Sequence, residues 1–210
     1  MSADLEHEGE TPDVTGPAVA LLEIADVPAG FQALDALAKE AAVHVISAGT
    51  VQSGHFLIAF AGEVEPVEMS FDSAVRAADR ALIDSVLLPY AEPRILPALL
   101  DGSPRKPGSG DALGVLQTSA SPTLLRAVDA ALKGAEVELL ELRLAEGLHG
   151  RGLAMVWGLQ HDVQAAIDHA NLAFGRGLST GATAAVIANA DREIGRALRK
   201  GTRFFKELRG

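Results

Sequence analysis

The chain has 210 residues, of which 48% are hydrophobic and only 4% aromatic, and its formal net charge is −10. The acidic balance argues against nucleic acid as a partner, because phosphate contacts need clustered Lys and Arg. The absence of cysteine excludes disulfides and cysteine-ligated metal sites. No apolar run reaches the roughly 18 residues of a membrane helix. Because the acidic amino terminus is also unlike a secretory signal, we expect a cytoplasmic protein with no membrane partner.

Residues 1–16 hold five carboxylates and no Lys or Arg, which predicts a disordered acidic tail. Residues 17–101 are predicted to form a first domain. Pro28 suits the start of a helix there, because its missing amide hydrogen would have no partner at that position. The domain is predicted to run strand, helix, strand, strand, helix, strand and short helix, at residues 18–24, 31–42, 43–48, 55–61, 64–83, 85–88 and 92–100.

Residues 102–111 are rich in Gly, Pro and Ser, which is typical of a linker. They lead to a second predicted domain at residues 112–204, followed by a short tail at 205–210. The second domain is predicted to contain the same elements in the same order, at residues 112–117, 123–133, 137–143, 152–157, 162–172, 183–189 and 191–200.

The two domains are copies of one unit. Seven residues of the segment 22–43 recur 94 positions later, and four of the segment 62–74 recur 96 positions later. The change in displacement places a two-residue insertion in a loop of the second copy. Loops that vary on a preserved scaffold commonly carry function.

The order of elements predicts the fold class. Strands and helices mix without repeated βαβ crossovers, which indicates an α+β fold. We therefore expect each copy to contain an antiparallel four-stranded sheet with its helices on one face.

Candidate chemistry is confined to two glycine-flanked turns, at residues 51–55 and 145–151. The second turn carries Glu146, His149 and Arg151, a set that can bind an anion or a metal or move a proton. No nucleophile or further ligand cluster accompanies them, which makes an enzyme the weakest of the interpretations. The sequence contains no phosphate-binding loop, dinucleotide-binding glycine motif or HExxH zinc motif.

Lys39 and Lys133 are equivalent in the two copies, each at the end of the same predicted helix. Two interpretations stay open. Either each cation only complements the negative end of its helix dipole, or both contact a partner.

Several short motifs, each weak alone, occur in a specific doubled order. They are ALGVLQT at 112–118, DALAK at 35–39, DAALK at 129–133, VQSG at 51–54 and AGEVEPV at 61–67. This order resembles that of the tandem-domain bacterial microcompartment shell proteins. There the corresponding segments are the opening strand, a helix ending in an edge lysine, the pore loop and a strand-to-helix junction.

The resemblance implies two tandem domains of the ferredoxin-like type and a flat homotrimer whose six domains imitate a hexagon around a central pore. It implies no catalysis, cofactor or metal. The tile would join hexameric and pentameric shell proteins in a microcompartment of the bacterial cytoplasm, with Lys39 and Lys133 at its edges. The pore would be lined by Gln52, Ser53, Gly54, Glu146, Gly147, Leu148, His149, Gly150 and Arg151.

Three features bear on this resemblance. Members with a metal cluster in the pore use a cysteine there, and this chain has none. The element order is not permuted, which favours a single-layer trimer over a stacked one. The segments after the last strands, at 88–91 and 188–191, lack the arginine that commonly lies near the edge lysine. The alternative function is a regulatory oligomer that binds small molecules in clefts between subunits.

Overall fold

A computed structural model describes residues 16–101, 106–177 and 181–202, and these form two similar units. The first unit comprises β1 (Ala18–Ile24), α1 (Val27–Glu40), β2 (His44–Thr50), β3 (Phe56–Gly62), α2 (Val64–Ala78), β4 (Leu82–Leu88) and α3 (Ile95–Asp101). The second comprises β5 (Ala112–Thr118), α4 (Ser121–Gly134), β6 (Glu138–Arg143), β7 (Gly152–Gly158), α5 (Gln160–Phe174), β8 (Ala182–Ile187) and α6 (Arg192–Lys200). The predicted order of elements is confirmed in both copies. No described helix is both long enough and apolar enough to cross a membrane.

Each unit contains one four-stranded antiparallel sheet. The strand order is β2-β3-β1-β4 in the first unit and β6-β7-β5-β8 in the second. The central strands β1 and β5 occupy equivalent places, and β4 and β8 are edge strands. The α+β prediction of two tandem sheets is therefore confirmed.

Helices cover both faces of each sheet. Leu22 and Ile24 of β1 pack in the core beneath α1 and α2, whereas Val19 and Leu21 share a core with Ile95 of α3. A central strand with apolar side chains on both faces needs cover on both sides. The two long helices of each unit lie on one face, as expected, while the short third helix packs on the opposite face. In the second unit α6 takes that position over a separate cluster of Leu113, Leu140, Trp157 and Leu198.

Helix ends differ from the predicted ones for local reasons. Helix α1 begins at Val27 rather than residue 31, because Asp26 is an N-cap that accepts a hydrogen bond from the Ala29 amide at 3.0 Å. Helix α2 ends at Ala78 rather than residue 83, because Asp79 takes a positive φ of 44° and starts a 3₁₀ turn. The predicted tails lie outside the described residues except at Gly16, as do residues 102–105 of the linker.

Gly110 is a fixed point at the start of the second unit. Its φ is +123°, and a Cβ there would lie 2.3 Å from the carbonyl oxygen of Gly158. Gly16 makes the same contact with Gly62 in the first unit. The entry of the chain into each sheet thus requires glycine on both steric and conformational grounds.

Gly110→Ala is expected to lower the free energy of unfolding by about 2–4 kcal/mol, because both the backbone clash and the positive φ must be relieved. Chemical denaturation followed by circular dichroism measures the loss. Gly175→Ala is the matched control, because a Cβ at Gly175 meets no atom within 4 Å and its φ is −69°. Equal stability of the two variants would contradict this account of Gly110.

Candidate pore loops and the interface between the units

The two candidate loops meet within one chain. A Cβ built on Gly150 would lie 2.8 Å from the Cβ of Ser53. The β2–β3 loop of the first unit and the β6–β7 loop of the second are therefore in contact, although almost a hundred residues separate them in sequence. The structure brings together the two glycine-flanked turns that the sequence singled out.

The first loop is a tight turn. The Val51 amide donates to the His55 carbonyl at 2.9 Å, and the Gly54 amide donates to the Val51 carbonyl at 2.9 Å. Gln52 and Gly54 are exposed at its tip, whereas Ser53 is half-buried against the second loop. The Ser53 Oγ is buried and has no hydrogen-bond partner among the described residues.

The second loop is two residues longer, as the change in displacement predicted. The pair Gly49 and Leu57 brackets the first loop, and the equivalent pair Arg143 and Leu153 brackets the second. The extra length is taken up by left-handed backbone at Ala145, Gly147, His149 and Gly150. Glu146, Gly147, His149 and Arg151 are exposed, Leu148 is half-buried and Gly150 is buried.

These loop side chains do not form a recognisable catalytic or metal centre. Among residues 16–101, 106–177 and 181–202 there is no group of three or more His, Cys, Asp and Glu side chains that could hold a metal ion. Glu146, His149 and Arg151 lie on one short exposed loop, where they give it mixed charge rather than an enclosed reaction site.

A buried carboxylate lies between the first loop and the second unit. Glu23, next to the end of the otherwise apolar β1, is fully buried and contacts His55 Nδ1 at 2.8 Å through Oε1. Its other oxygen accepts a hydrogen bond from the Ser121 amide at 2.8 Å. Helix α4 has Ala120 at its N-cap and no side-chain cap of its own, so Glu23 caps it from the other unit. Glu23 was not predicted as a site residue from the sequence, although a single acid within the apolar run AVALLEI indicates a buried carboxylate.

A second polar contact joins the units beside the first. Asp84 of β4 is fully buried, and its Oδ2 accepts a hydrogen bond from Thr123 Oγ1 at 2.5 Å. Arg126 Nη2 donates to the Ser85 carbonyl at 2.6 Å. Burial lowers the pKa of Arg126, and the negative charge of Asp84 acts in the opposite direction. The first two turns of α4 are therefore fixed to the edge of the first sheet by polar contacts.

The two equivalent lysines have different partners. Among the described residues, Lys39 Nζ contacts Asp35 Oδ2 alone, at 2.6 Å, and both side chains are exposed. Lys133 Nζ contacts Asp129 Oδ2 at 2.8 Å and also donates to the Tyr90 carbonyl of the first unit at 2.6 Å. Lys133 therefore bridges the two units, whereas the described contact of Lys39 lies within α1.

Arg94 supplies cationic contacts near Lys133. Its Nη2 donates to the Leu132 carbonyl at 3.1 Å and its Nη1 to the Val137 carbonyl, so it binds the carboxyl end of α4. Arg94 lies just before α3 and outside segment 88–91, which itself has no arginine.

The repeated unit matches one known family twice. A family model for the BMC (bacterial microcompartment) domain matches residues 18–91 and 112–190, one match in each unit. The chain belongs to the BMC domain family. It is a tandem-domain member of that family, whose proteins are structural components of microcompartment shells, so the structural role predicted from the sequence is confirmed.

Individual relatives of this BMC protein agree. It is 29% identical over 152 residues to the bacterial microcompartment shell protein PduT of Citrobacter freundii, a match that covers 71% of this chain and 80% of the relative. The crystal structure of a microcompartments protein from Desulfitobacterium hafniense DCB aligns with a TM-score of 0.72 and 26% identity, over 87% of this chain and 99% of the other. A fused permuted hexameric shell protein of the RMM microcompartment aligns with a TM-score of 0.59 over 76% of this chain and 84% of the other, and at 20% identity it shows the fold alone.

Proposed function

We propose that this BMC protein forms a single-layer homotrimeric shell tile, in which six domains surround a pore that passes small polar metabolites. The observation that carries the proposal is that one of the required domain interfaces is already built inside the chain. Helix α4 packs against β4 and β1 of the first unit, and we call this contact the intrachain interface.

Two surfaces that stay uncovered within the chain are equivalent to the two sides of the intrachain interface. On α4, Leu125 is fully buried, whereas the equivalent residue of α1, Phe31, is 58% exposed. On the edge strands, Val86 and Leu88 of β4 are buried, whereas the equivalent residues of β8, Ala185 and Ile187, are exposed. Each chain therefore offers an open helix surface on α1 and an open strand surface on β8.

Joining these two open surfaces gives the interchain interface of the proposal. It is heterologous, because α1 of one chain meets β8 of the next, and such contacts close into a ring when the rotation allows it. The family resemblance supplies the number of chains, which is three. Burial of Phe31 would contribute about 1–2 kcal/mol at each of these interfaces.

The contact between the two loops supports a shared pore. Ser53 and Gly150 meet within one chain, so a ring of three chains would bring six loops around one opening. In this arrangement the exposed tips, Gln52 and Gly54 from the first loop and Glu146, His149 and Arg151 from the second, face the opening. Neutral amides alternate there with charged groups, which suits the passage of small polar solutes. The half-buried Ser53 and Leu148, the exposed Gly147 and the buried Gly150 complete the proposed lining.

Loss of the ring is expected for Phe31→Asp, because a charge would be placed at the centre of the interchain interface. Size-exclusion chromatography with light scattering should find a single 21.8 kDa chain instead of a trimer. Leu172→Asp is the control, because Leu172 is 73% exposed on α5, away from the proposed contact. A trimer that survives Phe31→Asp would contradict the placement of α1 in the interface.

Gln52→Cys is expected to place three thiols around the pore axis. The native chain has no cysteine, so a small reagent with three thiol-reactive arms should link three chains only through this position. The product is seen as a band of three chains in a denaturing gel. Ser109→Cys, exposed in the linker, should give labelled single chains. If the Gln52→Cys variant also gives only single chains, the first loop does not line a common opening.

We further propose that Lys39 and Lys133 lie at tile edges and act in contacts with neighbouring shell proteins. Lys39→Ala is expected to leave the trimer intact and to reduce the size of the sheets seen by electron microscopy. Its exposed ion pair with Asp35 is worth at most about 1 kcal/mol to the fold, but the contact is repeated at every tile. Lys106→Ala, exposed in the linker, is the control. Sheets of unchanged size would remove Lys39 from the lateral contact.

A further inference from the structure

The intrachain interface contains two buried acids that face each other. Glu23 on β1 and Asp84 on β4 are paired directly across the sheet, and both are fully buried. Like charges opposite one another destabilise a sheet. Buried carboxylates also require donors or positive charge nearby. The first unit supplies a contact to each acid, from His55 to Glu23 and from the Ser85 amide to Asp84, and the resulting acidic strand surface favours a partner with further donors.

The second unit supplies that complement. The Ser121 amide donates to Glu23, Thr123 Oγ1 donates to Asp84, and the guanidinium of Arg126 is fixed one residue away at the Ser85 carbonyl. All three groups belong to the first two turns of α4, where the helix dipole also favours negative charge. The two acids thus gain hydrogen-bond donors, and the amino end of α4 gains an acceptor for its amide.

The open surfaces lack this charge. Gln117 and Thr183 are the cross-strand pair equivalent to Glu23 and Asp84, and both are neutral. On α1, Ala29 and Gln32 stand where α4 has Thr123 and Arg126, as the 94-residue displacement shows. Helix α1 also carries its own acidic cap, Asp26, where α4 has Ala120.

We propose that Glu23, Asp84, Thr123 and Arg126 are specificity-determining residues that make the intrachain interface chemically incompatible with the interchain interface. This inference rests on the proposed trimer and adds a rule for which domains can be neighbours. Domains take alternating places in the ring because each strand surface accepts only one of the two helix surfaces.

Mismatched neighbours are disfavoured by the charges that the wrong pairing would bring together. If α1 met the acidic strand surface, Asp26 would face Glu23 and Asp84 with no arginine present. If α4 met the neutral strand surface, the half-buried Arg126 would have no acid opposite it. The linker alone would not stop a foreign helix from displacing α4, whereas this charge pattern would. The partner that it rejects is a related single-domain shell subunit whose helix, like α1, has an acidic cap and no arginine.

The test transfers the charges of Asp84 and Arg126 to the equivalent positions of the interchain interface. One chain carries Thr183→Asp with an affinity tag, and a second carries Gln32→Arg with a tag of different mass. Both positions are exposed in the free chain, so neither change endangers the fold. The two chains are co-expressed, and the composition of the trimers is measured by native mass spectrometry. Wild-type chains with the same two tags are the control.

Mixed trimers are expected to predominate, because only they contain an interface in which the introduced acid meets the introduced arginine. Trimers of one variant alone should fall at least about tenfold below random assortment, which corresponds to 1.4 kcal/mol. Random assortment of the variants would overturn the inference and leave the trimer standing. If the tagged wild-type chains form no trimers, the proposed function fails instead.

Discussion

The structure depends on helix α4 being buried on two sides. It covers the sheet of its own unit and at the same time closes the edge of the first sheet, where β4 would otherwise expose apolar side chains to water. An open edge strand is a site for unwanted pairing, and proteins commonly cover it with a helix. Helix α4 covers β4, but the equivalent side chains of β8 remain exposed, because no third unit is present among the described residues to cover them. In the proposed trimer, a further copy of the chain would cover β8 in the same way.

The fold was largely predictable because it depends on local hydrophobic patterns and because these patterns occur in both copies of the repeat. Alternation and helical periodicity placed the strands and long helices, and the repeat confirmed each assignment independently. The errors fell at helix caps, which are local, and where tertiary contacts decide. Helix α1 starts early because of the Asp26 cap, and the packing of α3 and α6 on the far face could not be read from their own short sequences. The two-residue insertion was predictable because a change in displacement marks it directly.

The candidate sites were predictable to a different degree. The two loops could be found because glycines flank them, yet nothing in either loop indicated that Ser53 and Gly150 would touch. Glu23, Asp84 and Arg94 were missed, because a buried polar group is recognised by its partner rather than by its neighbours in sequence. Each has a partner in its own unit, but the Ser121, Thr123 and Leu132 groups that they also contact belong to the other unit. The equivalence of Lys39 and Lys133 was correct in sequence, but only one of them has a contact between units in the chain.

The longer β6–β7 loop has a consequence for how such an opening can change. In the proposed ring of three chains, six loops would surround the pore, and only every second loop would carry the two extra residues. The side chains that line the pore would therefore have threefold rather than sixfold symmetry. A ring of six identical subunits must alter all six loops with every mutation. A tandem-domain chain can change the three loops of one domain and keep the three loops of the other constant. Mutations that alter which solutes pass can then accumulate separately from those that affect the stability of the pore.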